Sequence, residues 1–279
     1  MLGDTLAERI VAAKLAHNCP VADGPDLFNI DYIAGVDPSG AKNRNRTNAF
    51  DDLRTVVSVI GDKIELLGAW KATIETGKRY TEHPINPRGA ARIAFGTYEA
   101  WQVGLHRGNH LALVQTGGAV SVYRDANMDY NRAGDALQTG FFGINQHGGY
   151  DLPDDDIGPA SAGCLVGNSM DGHRAFMKMI KRDARYLKDD EHVFESTIMP
   201  YEWLGIEPAP SAEEVFISDP AAWQAALNIV LKLKPPLMVD GIAGPLTKVA
   251  LKKFQKTRNL DVDGIAGPKT LHELFTIKP

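Results

Sequence analysis

Seven consecutive residues occur twice near the C-terminus, and this repeat restricts the fold more than any other feature. Val239-Asp240-Gly241-Ile242-Ala243-Gly244-Pro245 returns unchanged from Val262 to Pro268, 23 residues later. A repeat of that period means one supersecondary unit used twice. Asp-Gly favours a tight turn, and proline presets the first turn of a helix. After Pro245, the residues Leu246, Val249, Ala250 and Phe254 recur at helical spacing, as do Leu271, Leu274 and Phe275 after Pro268. Upstream, Trp223, Ala226, Leu227, Val230 and Leu231 follow the same period. The pattern predicts three short helices joined by two identical loops.

This segment resembles the widespread three-helix peptidoglycan-binding domain, whose turns read D-G-x-x-G-P-x-T. Both copies fit, from Asp240 to Thr247 and from Asp263 to Thr270. The resemblance covers about residues 218–277 and implies binding of glycan or stem peptide. The turn residues Asp240, Gly241, Asp263 and Gly264 are its substrate-binding candidates. Bacterial peptidoglycan is therefore the expected partner.

At 279 residues the chain is long enough for a second domain with its own core. Net charge is −5, unevenly spread. Residues 219–279 hold nine Lys/Arg and five Asp/Glu, which leaves an acidic body and a basic tail. The tail lacks the interleaved aromatics of a single-strand binder, so no nucleic-acid partner is expected. No apolar run approaches the ~18 residues of a membrane span. The opening MLGDTLAERIVAAKLAH reads as an amphipathic helix without a signal-peptide core. Synthesis in the cytoplasm is expected, with action at the wall after release by other means, as a phage lysin would have. Two cysteines, Cys19 and Cys164, make no disulfide scaffold and no zinc or redox pair. No cofactor and a monomeric state are expected.

The body reads as strands. Thr55–Ile60 and Lys63–Leu67 flank Gly61-Asp62 as a hairpin. Leu111–Thr116 and Ala119–Tyr123 flank Gly117-Gly118 as a second. Phe142–Gly149 looks like a strand ending in a glycine turn. Helical period returns after Ser169, with Phe176, Met179, Ile180 and Leu187 on one face. The expected organisation is α+β: a β-rich domain over 1–204, a linker over 205–217 (Pro, Ser and Glu dominate), and an all-α module over 218–279.

The chemistry lies near Cys164, 17 residues after His147. A thiol attacks as its thiolate, and an imidazole can take its proton. Gly163 beside it allows close approach of a carbonyl, with backbone N–H groups as an oxyanion hole. His147-Gly148 followed by Ser161, Gly163, Cys164 and Leu165 resembles the L,D-transpeptidase catalytic domain. That resemblance implies Cys164 as nucleophile, His147 as base, Ser161 and Gly163 shaping the turn, and Gly148 near substrate. Ala162 stands where that family often has a polar residue, and Val166 where it usually has arginine. Arg174 or His173 could supply the missing cation. A longer stretch, about residues 20–200, resembles uncharacterised domains, many on phages. They share Asn48-Ala49-Phe50-Asp51-Asp52, the Arg124-Asp125-x-Asn127-x-Asp129 segment and the Ser161–Cys164 run.

Other patterns compete. Asp125, Asn127 and Asp129 alternate as in calcium loops, but Tyr130 and Ala136 occupy positions where an EF-hand needs Gly and Glu. Asp151 to Asp156 reads as a solvated acidic loop that could meet cationic groups of a stem peptide. A zinc site of His147, His173 and Cys164 has no supporting motif. His106 and His110 could lie near the site, with structural roles as the alternative. The expected function is a peptidoglycan-degrading cysteine enzyme. An L,D-transpeptidase exchanging cross-links, a non-catalytic wall-binding or virion protein, and an effector with the same chemistry are the alternatives.

Overall fold

The computed structural model describes residues 5–205 and 220–276, and all but Gly205 of the expected linker lies outside them. The chain divides into two compact units, residues 1–206 and 207–279.

The first unit is β-rich. Its strands are β1 (Phe28–Ala34), β2 (Asp52–Ile60), β3 (Lys63–Thr73), β4 (Ala90–Ile93), β5 (Gly96–His106), β6 (His110–Gln115), β7 (Val120–Asp125), β8 (Ala136–Gly140), β9 (Gln146–Gly148), β10 (Leu165–Gly167) and β11 (Phe194–Pro200). Eight close a barrel in the order β1-β11-β5-β6-β9-β10-β3-β2, and β4-β7-β8 form a separate sheet. The β1/β11 and β9/β10 pairs are parallel.

β1 is buried along its whole length because both its faces are covered. Phe28, Ile30 and Tyr32 join the main core, while Ile33 packs with Leu53, Val57 and Val59 against helix α1 (Leu6–Ala16). Thr5 and Glu8 close a capping box on that helix, satisfying N–H groups its first turn cannot. Helices α2 (Lys78–Glu82), α3 (Met170–Ile180) and α4 (Ala184–Lys188) follow in chain order. Phe176, Met177 and Ile180 of α3 enter the main core.

Three expectations are corrected here. Leu111–Thr116 and Ala119–Tyr123 form no hairpin: β6 pairs with β5 and β9, and β7 pairs with β4 and β8. Gly117 N donates instead to Ala100 O, and a Cβ on Gly118 would strike Glu99 O. The diglycine thus lets the chain cross β5 closely and leave the barrel. Phe142–Asn145 is not strand, because Gln115 Oε1 accepts from Phe142 N and Ile144 N at 3.0 and 2.9 Å. A side chain replaces the ladder partner. α3 ends at Ile180, and Leu187 is 72% exposed on α4.

The second unit holds helices α5 (Pro220–Val230), α6 (Pro245–Thr257) and α7 (Pro268–Thr276). Leu227, Ala250, Leu251, Phe254 and Leu274 form its core. Leu246 and Val249, expected inside, are exposed, because Leu251 takes the inward position between Ala250 and Phe254. No helix among the described residues is long and apolar enough to cross a membrane.

Candidate functional site

In the helical unit, each repeated turn is latched by a glutamine from the preceding helix. Gln224 on α5 is 1% exposed. Its Nε2 donates to Asp240 Oδ1, Ile242 O and Thr247 Oγ1, and its Oε1 accepts from Asp240 N and Gly241 N. Gln255 on α6 repeats this with Asp263, Ile265, Thr270 and Gly264 N. Gly241 and Gly264 have φ of 73° and 77°, a region open to glycine. The four expected substrate-binding residues therefore hold the turns. The Gln224 amide and then the Ile242 N–H keep the Asp240 carboxyl below the usual range, and the Ile265 N–H and then the Gln255 amide do so for Asp263.

In the β-rich unit, Cys164 sits half-buried before β10, in a cleft of about 420 Å³. Its turn is built by Ser161, which is fully buried. Ser161 Oγ donates to Cys164 O at 2.9 Å and accepts from Gly163 N at 3.1 Å. Gly163 has φ of 131°, and a Cβ there would lie 2.9 Å from Ala91 O. One expectation is corrected: the Gly163 N–H is spent on Ser161, so it cannot serve an oxyanion hole. Gly163→Ala should displace the cysteine turn and cut any activity by about 10²-fold, the cost of roughly 1 Å misplacement. Parallel rate and circular-dichroism measurements would separate this from unfolding.

The parallel register sets Val166 opposite His147 and Leu165 opposite Gln146. Side chains alternate, so Leu165 and Gln146 point into the barrel, while Cys164, Val166 and His147 share the outer side. His147 is 2% exposed. Its Nδ1 donates to Gly148 O at 2.8 Å, because a carbonyl can only accept. That leaves Nε2 as a lone pair, buried and without a partner. A Cβ on Gly148 would meet Met170 Sδ at 2.8 Å, so Gly148 serves packing against α3.

His106 closes the arrangement. Its ring stacks on His147, centroids 4.0 Å apart at 17°. Asn145 Oδ1 accepts from Gln115 N, so Asn145 Nδ2 faces His106 Nδ1 at 2.9 Å and donates to it. Neutral His106 must then carry its proton on Nε2. Burial, then the neighbouring His106, lower His147 to about 3. Burial, then Arg107 and His110, also lower His106. Burial pushes the Cys164 thiol up, against a lowering pull from Asn145 N–H and Arg107. Both shifts favour the neutral thiol and the neutral imidazole at rest.

The cleft lining includes Tyr80, His106, Arg107, Arg124, Asn145 and Cys164. Sequence reasoning missed the two arginines and Asn145. Arg107 and His106 stand at the β5–β6 turn, whose H-R-G-N-H run was the available signal. The expected substitutes for the missing arginine lie elsewhere. Arg174 is exposed and pairs with Asp171, and His173 is occupied by Arg54 and Leu111 O. Those two contacts also leave His173 no nitrogen for zinc. Val166 is fully buried with Phe50 and Ile157, so an arginine there would not reach the cleft.

The acidic loop between His147 and Cys164 is solvated as expected, with Asp151, Asp154, Asp155 and Asp156 exposed, and it is also anchored. Asp154 pairs with Lys71 at 2.6 Å, Asn48 bonds Asp156, Phe50 N donates to Asp154 O, and Ile157 is fully buried. The Asn48–Asp52 motif is its fastening. The Asp125–Asp129 pattern is an Asp/Asn turn with its oxygens taken up locally. Asp125 accepts from Arg92 Nε at 3.0 Å and from Asp129 N and Tyr130 N, and Asn127 bonds Asp129. Among the described residues no three His, Cys, Asp or Glu could hold a metal.

Comparison with known families agrees with the helical unit. Residues 218–274 match the family model described as "Putative peptidoglycan binding domain". The chain thus carries a wall-binding module, and peptidoglycan is its supported partner. No curated protein and no solved structure matches the chain.

Proposed function

We propose that this is a peptidoglycan-degrading cysteine enzyme of the endolysin kind, cleaving stem or cross-bridge peptides through a Cys164–His147 acyl-enzyme. The observation that carries the reading is a cleft-lining thiol just before β10, where the parallel β9–β10 register sets His147 opposite Val166, with the imidazole held in one tautomer and its Nε2 lone pair unused. The quoted likeness to L,D-transpeptidases gives the same two residues these roles.

Cys164 Sγ attacks the scissile carbonyl as His147 Nε2 takes its proton. The Cys164 N–H remains as the turn's candidate oxyanion donor, and His106 Nε2–H adds a second donor lining the cleft. His147 then returns the proton to the departing amine, leaving a thioester. Water, activated by the same Nε2, releases the acid. Transfer to an amine instead would exchange cross-links. Hydrolysis is favoured because the family's arginine is replaced by buried Val166.

Proton linkage gives a test. His147 folds with a lowered pKa, so the native state binds fewer protons than the unfolded chain between 6.5 and about 3. Its stabilising contribution is present above pH 6.5 and lost as pH falls through that window. Cleavage should therefore show no imidazole limb near pH 6.5 and should fall only as pH approaches 3 or the fold fails. Alkylation of Cys164 by iodoacetamide should be slower at pH 7 than that of free cysteine, rising beyond the ordinary thiol range. A limb at 6.5 with fast labelling at pH 7 would contradict the neutral pair.

A further inference from the structure

Arg124 stands apart from the other buried arginines of this unit. It is 5% exposed, on β7, and lines the Cys164 cleft. Its Nε donates to Gln138 Oε1 at 2.9 Å, and its guanidinium lies 4.7 Å over the Phe142 ring. No acidic side chain among the described residues pairs with it. Its neighbour Asp125 is committed to Arg92, which also pairs with Glu75. Arg185 has Asp183. Arg54 lacks an acid too, but it is sealed against Phe176 inside the barrel and reaches no cleft. The nearby charges at Arg124 are positive: burial and then Arg88 lower its pKa, and Arg107 faces the same cleft.

Backbone pairing fixes the relation to the nucleophile. Arg124 lies opposite Ala91 in the β4–β7 register, and Ala91 O abuts Gly163, the residue before Cys164. A buried cation without a counter-ion is costly, and a guanidinium matches a carboxylate in a two-bond fork.

We propose that Arg124 is the carboxylate-binding group of the cleft, so that the peptide engaged by Cys164 carries a free carboxylate near the scissile bond. This rests on the cysteine-enzyme reading above. The carboxylate could belong to the peptide's terminus or to a side chain, and both offer Arg124 the same chemistry.

The test reads occupancy of the cleft directly, so wall binding by the helical unit does not enter. Full-length protein is labelled with iodoacetamide in the presence of a synthetic stem peptide, and labelling of Cys164 is followed by mass spectrometry. Two analogues are compared, one amidated at the terminus and one at the side-chain carboxylate. The free peptide should protect Cys164 at a concentration about tenfold or more below that of one analogue, the size expected for a charge-assisted bond. Which analogue fails identifies the carboxylate. In R124Q the difference should vanish, and in R124K part of it should return; circular dichroism confirms that both variants fold. Equal protection by all three peptides in the wild type, or an unchanged preference in folded R124Q, overturns the proposal. Selective protection without turnover would instead sink the enzymatic reading while leaving the carboxylate site standing.

Discussion

Cys164→Ala should abolish wall clearing, lowering the rate by at least ~10³-fold, with retention on wall fragments unchanged. The thiol is replaced where it lines the cleft, so no bond holding the barrel is lost. Its Sγ donates weakly to Gly143 O at 3.5 Å and otherwise packs at the edge of the Phe50, Ile157 and Val166 cluster. His147→Ala should be nearly as damaging, and the double variant no worse than either. Residues acting as one unit give such non-additive losses. The same clearing by Cys164→Ala as by wild type would leave a wall-binding protein with an unused thiol. The clearing assay run with a chelator distinguishes metal chemistry, since the account predicts no effect.

The second large effect belongs to the helical unit. Gln224→Leu should unfold it and abolish retention on purified sacculi. The substitution keeps the side chain's bulk but removes five hydrogen bonds. At ~0.5–1.5 kcal/mol net apiece, the five bonds together lose about 2.5–7.5 kcal/mol. A module of this size has a margin of about 3–5 kcal/mol in all, so a single change consumes it. Gln255→Leu should act similarly through four bonds. Sedimentation with sacculi reads the outcome, and a variant that still cosediments would show the latch to be dispensable. Clearing by the β-rich unit should persist in these variants at high enzyme concentration, since Gln224 lies wholly within the helical unit.

The helical unit was legible in the sequence because its turns are local. Asp-Gly, Gly-Pro and the helical period each act over a few residues, and a repeat shows them twice. What escaped was the latch, since a buried glutamine looks like any surface glutamine until the fold brings Asp240 to it. The β2–β3 hairpin was legible for the same local reason. The β6–β7 hairpin misled because Gly117-Gly118 fits a tight turn as well as a close crossing over β5. Only the position of Glu99 O decides between them.

At the site, Ser161, Gly163 and Cys164 were readable as one short motif. His147 joins them only through the parallel β9–β10 register, which spacing suggests and cannot measure. His106, Arg107, Asn145 and Arg124 come from other strands, so no spacing rule reaches them. The ionisation tendency was not legible for a related reason. Motif logic imagines an exposed thiolate beside an imidazole, whereas Cys164 packs with Leu152 and Ile157 of the 151–160 loop and His147 is buried against His106, and burial favours the neutral form of each. Val166 is explained by the same loop, since it packs with Phe50 and Ile157 under it.

The most direct test is mass spectrometry of the fragments released when purified sacculi are incubated with the full-length protein and with Cys164→Ala. The account predicts new peptide termini in the wild-type digest, with glycan strands uncut, and none of these termini with Cys164→Ala. The same peptide termini from Cys164→Ala, or products ending in cleaved sugars, would contradict it.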